Sequence, residues 1–211
     1  MNPVQLADLV ARSTRPALVW YGPGERIELS GKVLANHVSK IANFLADEAE
    51  LEASPVLLDL PTHWKTITWA LGALVAGGQV RFGEDAGPDE VVVTTRPEKF
   101  PTTDVVVALN LASLAFSFDG DLGDALDGSA SVMGHPDALM WRDQWETSNW
   151  ADFAQCSVTG DEARIAVVGI EAEDALPLAY ECMAKGRTLV LVQDPAADAA
   201  RIAKTEGATL L

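Results

Sequence analysis

The side chains that most often carry chemistry are few in this sequence and widely spaced. Its 211 residues include three histidines and two cysteines, and no two histidines stand at a spacing that suits zinc. His37 lies on an apolar helix stripe and is expected to be a satisfied core histidine. Neither Gly-x-Ser-x-Gly, the turn of many serine hydrolases, nor a Gly-x-Gly-x-x-Gly dinucleotide loop is present. The sequence therefore predicts no metal site and no cofactor, and it offers no catalytic residue.

Positive charge is scarce in the middle of the chain. No lysine occurs between Lys99 and Lys185, and only Arg142 and Arg164 are cationic there. A nucleotide or a CoA-type ligand can be held by backbone amides together with one or two cations. We therefore assign Arg142 and Arg164, with the imidazole of His135, as the candidate ligand-binding residues.

Three tryptophans lie close together in the segment WRDQWETSNW. Trp141 and Trp145 are four residues apart and would share a helix face, with Trp150 just beyond. Because tryptophans often anchor interfaces, these residues are the candidate contact for a homodimer or for another protein partner. The competing interpretation is that they are buried where two parts of the chain meet.

The charge of the chain excludes some classes of partner. With 31 Asp and Glu against 15 Lys and Arg, the formal net charge is -16 at pH 7. The basic residues are scattered, so the protein would repel nucleic acid and anionic membranes. No stretch approaches the ~20 apolar residues of a membrane span, and the N-terminal residues lack a signal-peptide pattern. Since Cys156 and Cys182 are expected to be buried thiols rather than a disulfide, we predict a cytoplasmic protein.

The elements that would position a site are clearest between Ser54 and Phe82. The apolar run from Val56 to Leu60 indicates a buried strand, and Thr62 can cap the helix that follows. Gly77 and Gly78 suit the end of that helix before a second strand. A strand, a crossover helix and a parallel strand form a right-handed βαβ unit.

The same order of elements recurs near the end of the sequence. Ile165 to Ile170 and Leu189 to Val192 predict two strands, and the helix between them ends at Gly186. Gly78 and Gly186 are 186 − 78 = 108 residues apart, which indicates an internal structural repeat. Asp194-Pro195 predicts the start of a last helix.

The organisation predicted from these patterns is α/β, with two related lobes of mostly parallel sheet flanked by helices. Residues 1–110 form the first lobe, which includes an N-terminal hairpin around Gly22-Pro23-Gly24. Residues 111–140 form a loop-rich connection, and residues 141–211 form a second, smaller lobe. One compact domain for the whole chain is the alternative.

The order of these motifs resembles the N-terminal portion of the adenylate-forming (AMP-binding) enzymes, which include acyl-CoA synthetases, luciferases and peptide-synthetase adenylation domains. Ile27-Glu28-Leu29-Ser30 and the helix after it stand where the family has Leu-Thr-Tyr-x-Glu-Leu. Leu60-Pro61-Thr62 stands where the family has Leu-Pro-Asn, and Val75-Ala76-Gly77-Gly78 where it has Ala-Gly-Ala. Gly186-Arg187-Thr188 looks like the segment that follows the family's phosphate loop. The resemblance spans most of the chain and implies the fold of the family's N-terminal domain.

The sequence departs from the family where the family binds ATP. The phosphate loop, Ser/Thr-Ser-Gly-Thr-Thr-Gly-x-Pro-Lys, would fall between Asp104 and Arg164, where this chain offers only DGSASVMG and SVTGD. The sequence also ends at Leu211, before the family's adenine- and ribose-binding motifs and its C-terminal domain with a catalytic lysine. Adenylation needs ATP, magnesium and charges that stabilise the transition state. We therefore expect a truncated, degenerate relative, a pseudoenzyme that cannot form acyl-adenylates.

Three functions remain open on this basis. The first is a non-catalytic protein that binds a small ligand between the lobes, or binds another protein. The second is an enzyme with a remodelled site between the lobes that handles a nucleotide, CoA or acyl-CoA ligand. An interaction subunit whose partner completes the active site is a third possibility.

Overall fold

Two five-stranded sheets organise the molecule, which a computed structural model describes for residues 1–52, 54–87, 89–145 and 162–211. Within these residues the strands are β1 (Pro16–Gly22), β2 (Glu25–Ser30), β3 (Pro55–Asp59), β4 (Gln79–Phe82), β5 (Val91–Thr94), β6 (Val105–Ala108), β7 (Leu126–Asp127), β8 (Arg164–Val168), β9 (Thr188–Val192) and β10 (Thr209–Leu210). Sheet A has the order β10-β8-β9-β1-β2, and sheet B has the order β4-β3-β5-β6-β7. Every neighbouring pair is parallel except the antiparallel β1–β2 hairpin.

Helices fill the space between the two sheets. The helices of the described residues are α1 (Pro3–Ala11), α2 (Gly31–Asp47), α3 (Trp64–Val75), α4 (Gly128–Ser131), α5 (Arg142–Trp145), α6 (Ala172–Ala184) and α7 (Ala199–Glu206). Helices α1, α2, α3 and α6 contact one another. None of these helices has the length and apolar character needed to cross a membrane.

Strand alternation shows which face of each sheet meets these helices. In sheet A, Leu189 and Leu191 belong to the large core that contains the four contacting helices, whereas Val190 packs in a separate cluster with Ile202 of α7. In sheet B, Val91 and Val93 join the large core, and the residue between them packs in a third cluster on the opposite face. Because successive side chains point to opposite faces of a strand, the helices α1, α2, α3 and α6 lie between the sheets and α7 covers the outer face of sheet A.

Close packing within this helical layer depends on a glycine. A Cβ added at Gly72 of α3 would lie 2.5 Å from a methyl carbon of Ile41 in α2, which is inside van der Waals contact. Glycine therefore lets α2 and α3 approach more closely than any other residue would allow. Helix α2 itself begins where predicted, because the Ser30 side chain accepts a hydrogen bond from the Val33 amide.

The predicted repeat is present as two βαβ units of the same topology. In the first unit β3 and β4 are parallel neighbours joined through α3, and in the second β8 and β9 are parallel neighbours joined through α6. The chain turns after each helix at a glycine with positive φ, which is +90° at Gly77 and +67° at Gly186. The α/β fold class and the mostly parallel sheets are therefore confirmed.

The N-terminal hairpin forms as predicted but belongs to the sheet of the C-terminal strands. Strand β1 pairs with β9 in parallel, with Leu18 opposite Leu189 and Tyr21 opposite Val192. The hairpin was expected in the lobe of residues 1–110, yet β3 to β7 form a different sheet without it. The boundaries at 110 and 140 stay a prediction, but the sheets divide the chain in a different way.

Two predicted helix starts are wrong. The residue that caps α3 is His63, whose ring accepts a hydrogen bond from the Lys65 amide, because the Thr62 hydroxyl donates instead to the Ile170 carbonyl. The last helix begins at Ala199 with Asp198 as its cap, whereas Asp194 accepts a hydrogen bond from the Ala196 amide in a turn. In both places a nearby polar side chain took the predicted role.

Candidate functional site

An open pocket of about 500 Å³ lies where the carboxyl ends of sheet B face the start of α6. Its lining residues lie at or just after the carboxyl ends of β3, β4 and β5 and at the start of α6. They are Leu58, Asp59, Leu60, Pro61, Phe82, Gly83, Glu84, Thr95, Arg96, Glu171, Ala172 and Glu173. Strand β3 is followed by β4 on one side and pairs with β5 on the other, so the strand order reverses between β3 and β5. Ligands of open α/β sheets bind outside the carboxyl ends of strands at such a reversal. We call this cavity the inter-sheet pocket and treat it as the candidate functional site.

A buried carboxylate forms the floor of the inter-sheet pocket. Asp59, the last residue of β3, has a side chain only 5% exposed. It accepts a hydrogen bond of 2.7 Å from the Thr94 hydroxyl and another of 2.7 Å from the Arg96 guanidinium. The hydrogen bond to Asp59 raises the pKa of Arg96, and the two side chains form an ion pair.

The charge balance of the pocket is strongly acidic. Besides Asp59, the carboxylates of Glu84, Glu171 and Glu173 line it, and Arg96 is the one cation among the described lining residues. The guanidinium of Arg96 also lies 3.6 Å from Glu84. Four carboxylates against one paired cation make the pocket unfavourable for a phosphate group.

Hydrogen bonds from both sheets hold the wall of this pocket in place. The Ile170 carbonyl, between β8 and α6, accepts hydrogen bonds from the Thr62 hydroxyl at 2.8 Å and from the Gln193 side-chain amide at 2.9 Å. The Trp20 indole N–H donates to the Thr62 carbonyl at 3.4 Å. Segments that leave sheet A and sheet B are thus joined by polar contacts beside the pocket.

His63 supports this junction as a neutral ring. It is 6% exposed, and its ring lies edge-on to Trp20 with 4.2 Å between the centroids. Burial, reinforced by the nearby Lys65 ammonium, lowers its pKa to about 3. Its role as the α3 cap also needs an unprotonated nitrogen that accepts the Lys65 N–H.

The structure does not bring the three sequence-predicted ligand-binding residues together. Arg142 forms a bidentate ion pair with Asp8 of α1. Arg164 lies 2.8 Å from Glu206 of α7, and the ring of His135 lies 2.9 Å from Glu48 beyond α2. Each is engaged by a carboxylate on a different element, and none of them lines the inter-sheet pocket. Their assignment to ligand binding stays a prediction.

The tryptophan segment is only partly covered by the described residues. Trp145 is 5% exposed and belongs to the main core, and the half-buried ring of Trp141 lies 5.9 Å from it between centroids. This burial favours the packing interpretation for Trp145. Trp150 lies outside the described residues, as does Cys156, whereas Cys182 is fully buried as predicted.

Sequence reasoning missed the residues that form the pocket floor. Asp59, Thr94 and Arg96 each stand at or just after the end of an apolar strand, in the sequences VLLDL and VVVTTR. The carboxyl ends of parallel strands meet at one edge of a sheet. Polar residues at the ends of these two apolar runs are therefore the sequence signal that could have indicated the pocket. In the described ranges no group of three or more His, Cys, Asp or Glu side chains is placed to hold a metal ion.

Comparisons with solved structures identify the architecture. The whole chain superposes on 47% of an acyl-CoA synthetase from Brucella canis with a TM-score of 0.70 and 17% identity. For an acetoacetyl-CoA synthetase from Streptomyces lividans, 97% of the chain matches 41% of that protein with a TM-score of 0.62 and 14% identity. A coronafacic acid ligase from Pectobacterium brasiliense gives a TM-score of 0.63 at 10% identity over 97% of the chain and 48% of that protein. The chain therefore has the N-terminal α/β fold of the adenylate-forming enzymes, as its motifs predict.

Sequence comparison adds one relative, which is also matched over only part of its length. A protein from Mycobacterium tuberculosis named TIGR03089 family protein is 36% identical over 118 residues, which cover 54% of this chain and 45% of that protein. No protein-family model matches the chain. The chain thus spans about half the length of the proteins that it matches.

Proposed function

We propose that the chain binds a small ligand in the inter-sheet pocket and does not form acyl-adenylates. The observation that carries this proposal is the charge of the pocket. Its one described cation, Arg96, is paired with Asp59 at 2.7 Å, and three further carboxylates line the cavity. A triphosphate placed there would meet net repulsion where an adenylating enzyme needs attraction.

Of the two segments that offer small residues, DGSASVMG is used for packing, which supports the same conclusion, and SVTGD at residues 157–161 lies outside the described residues. In DGSASVMG, a Cβ added at Gly128 would lie 2.5 Å from Val107, so this glycine serves close contact with β6. The Ser129 hydroxyl accepts a hydrogen bond of 2.9 Å from the Asn110 amide, and Asp127 caps α4. A phosphate loop instead needs free amides, hydroxyls and a lysine.

The charge of the pocket also predicts the kind of ligand. Repulsion from the carboxylates favours an uncharged or cationic molecule over a phosphorylated one. Polar groups at the carboxyl ends of β3 and β5 provide polar contacts, and the partly exposed Phe82 provides an apolar one. We therefore expect the pocket to prefer adenosine to AMP, which share a base and a sugar but differ in charge.

Thermal unfolding with adenosine, AMP, ATP with magnesium, CoA and a medium-chain acyl-CoA tests the proposal. A ligand at 100 times its dissociation constant stabilises the folded protein by ~2.7 kcal/mol and raises the midpoint by several degrees. We expect larger shifts with adenosine than with AMP or ATP. A larger shift with ATP than with adenosine would contradict the proposal.

A charge variant makes this test specific to the inter-sheet pocket. Replacing Glu84 and Glu173 with glutamine removes two exposed carboxylates from the pocket and should raise AMP affinity about tenfold, or ~1.4 kcal/mol. The matched control replaces Asp47 and Asp124 with asparagine, which removes the same charge at exposed positions away from the pocket. Equal effects of both variants would place AMP elsewhere.

Adenylation is tested separately by ATP–pyrophosphate exchange with a panel of aliphatic and aromatic acids. We expect no exchange above the rate of a heat-denatured sample. Exchange dependent on one acid would support the alternative of an enzyme with a remodelled site. Binding without exchange would support the binding function.

A further inference from the structure

A second pocket, of about 210 Å³, lies between α2, α3, the segment 109–116 and the segment 128–133. We call it the apolar pocket; it shares no lining residue with the inter-sheet pocket. Most of its described wall is aliphatic or aromatic, namely Ile41, Trp64, Trp69, Leu109, Leu114, Ala115, Phe116, Val132 and Met133. Pockets of this composition with a few polar groups are the usual form of small-molecule sites.

The mouth of the apolar pocket exposes large apolar side chains. Leu114 is 86% exposed, Phe116 is 77% exposed and Met133 is 53% exposed. Single exposed apolar residues are common on protein surfaces, but three around one concave apolar wall indicate a binding surface.

The loop that presents Leu114 and Phe116 is held by a defined set of hydrogen bonds. The Lys65 ammonium donates to the carbonyls of Asn110 at 2.8 Å and Ala112 at 2.7 Å. Asn110 itself accepts a hydrogen bond from the Ala112 amide and donates through its side chain to the Ser117 carbonyl. Leu114 and Phe116 therefore project from an ordered turn, and their exposure is a property of the fold.

One imidazole supplies a polar group in the wall of the pocket. The ring of His37 lies edge-on to Trp64 with 5.6 Å between centroids. His37 is half-buried, and in the part of the chain that the structure describes neither ring nitrogen has a protein hydrogen-bond partner, so it is not a core histidine with an internal partner. Burial lowers its pKa, and the ammonium groups of Lys65 and Lys40 lower it further, against an opposing effect of Asp137. The neutral ring offers one donor and one acceptor.

We propose that the apolar pocket binds an uncharged single-ring aromatic molecule that carries one hydroxyl group, the chemical class of phenol. An apolar cavity of roughly 150 Å³ is enough to hold a benzene ring, and 210 Å³ leaves room for one substituent. The ring packs against Trp64, Trp69 and Phe116, and the hydroxyl hydrogen-bonds the imidazole of His37. This site is independent of the proposed function of the inter-sheet pocket.

Titrations with phenol and with toluene, followed by the indole N–H signals of Trp64 and Trp69 in ¹H–¹⁵N spectra, test the proposal. The two probes share the ring and differ in the hydroxyl. We expect saturable shifts with both, and ~fivefold tighter binding of phenol, the value of one neutral hydrogen bond. Absence of saturable shifts at these two indoles would overturn the proposal.

Three variants then locate the binding. His37→Leu should remove the preference for phenol over toluene, and a preserved preference would overturn the role of the imidazole. Phe116→Ala should weaken both probes about tenfold by removing an aromatic contact. Because Phe116 is largely exposed, that substitution leaves the core intact, and an unchanged spectrum outside the pocket verifies the fold.

Met133→Ala and Met140→Ala form a matched pair. Met133 lines the pocket, whereas Met140, 61% exposed, does not. We expect weaker binding of both probes for Met133→Ala alone. Equal effects of the two substitutions would place the probes on a general apolar surface and would overturn the site.

Discussion

The two βαβ units have the same topology but very different surroundings. In the first unit, eleven of the twelve residues of α3 are buried, because α3 lies between α2 and α6 within the helical layer. In the second unit, α6 has thirteen residues and buries seven of them. Position in the layer, and not the repeat itself, decides how much of each helix is available to solvent.

The carboxyl ends of the two units differ as well. In the first unit, β3 ends at Asp59, whose carboxylate is buried. The second ends in Gly169 and Ile170, whose contribution is a backbone carbonyl that accepts two hydrogen bonds. The first unit therefore supplies the buried carboxylate at the floor of the inter-sheet pocket, and the second supplies the exposed carboxylates of Glu171 and Glu173 in its wall, so a repeated topology has not produced a repeated burial of charge.

The largest expected difference between the units concerns an aromatic residue in each helix. Trp69 of α3 is 4% exposed and packs edge-on against Phe44, so Trp69→Ala should lower the free energy of unfolding by about 3–5 kcal/mol. Tyr180 of α6 is partly exposed and donates a hydrogen bond to the Met1 carbonyl. Tyr180→Ala should cost about 1–2 kcal/mol. Urea unfolding of both variants measures the difference, and equal losses would contradict the contrast in burial.

Between pH 6.5 and pH 5, the dependence of stability on pH should come mainly from the first unit, in which His63 lies between β3 and α3. The pKa of His63 falls from 6.5 to about 3 on folding, so the unfolded chain binds the proton more readily. This contribution is complete above pH 6.5 and is lost as the pH falls toward 3. We expect a loss of ~2 kcal/mol between pH 6.5 and pH 5.

The variant His63→Asn isolates this effect, since asparagine also caps helices. It should flatten the decline in unfolding free energy between pH 6.5 and pH 5 when both proteins are unfolded in urea. The neutral ring of His37 contributes in the same direction and is unchanged in this comparison. An equally steep decline in the variant would show that another group is responsible.

The smallest expected effect concerns the link between the units. Thr62→Val removes the hydrogen bond of 2.8 Å to the Ile170 carbonyl while nearly keeping the shape of the side chain, and should cost about 1 kcal/mol. Thr205→Val is the control, because the exposed Thr205 hydroxyl donates to the Arg201 carbonyl within α7. Thermal unfolding should show the larger loss for Thr62→Val. The reverse order would mean that the link between the units adds little.

Much of the architecture is visible in the sequence because it rests on local patterns. The apolar run before Leu60, the stripe after Ser30 and the glycines after α3 and α6 each act within a few residues, and all of them mark elements that the structure contains. The resemblance to adenylate-forming enzymes, carried by the order of these motifs, agrees with the superposed structures.

The remaining features depend on residues far apart in the sequence. Thr62 is a plausible helix cap, and only the Ile170 carbonyl, 108 residues away, diverts its hydroxyl. The segment from Asn110 to Asp137 reads as a loop, yet it contains β7 and α4, where Gly128 packs against Val107. The ligand-binding prediction rested on the scarcity of positive charge around Arg142, Arg164 and His135. The sequence does not show that each of them lies beside a carboxylate distant in the chain.

The pairing of β1 with β9 has a consequence for how the protein is made. Leu18 lies opposite Leu189, and 189 − 18 = 171 residues separate them. At about 5–20 residues per second, a ribosome needs roughly 10–30 seconds to add that much chain. During that interval the N-terminal hairpin has an apolar edge without its partner strand, and an isolated hairpin is marginally stable at best. The hairpin of the nascent chain therefore keeps an unpaired apolar edge at β1 at least until β9 has been synthesised.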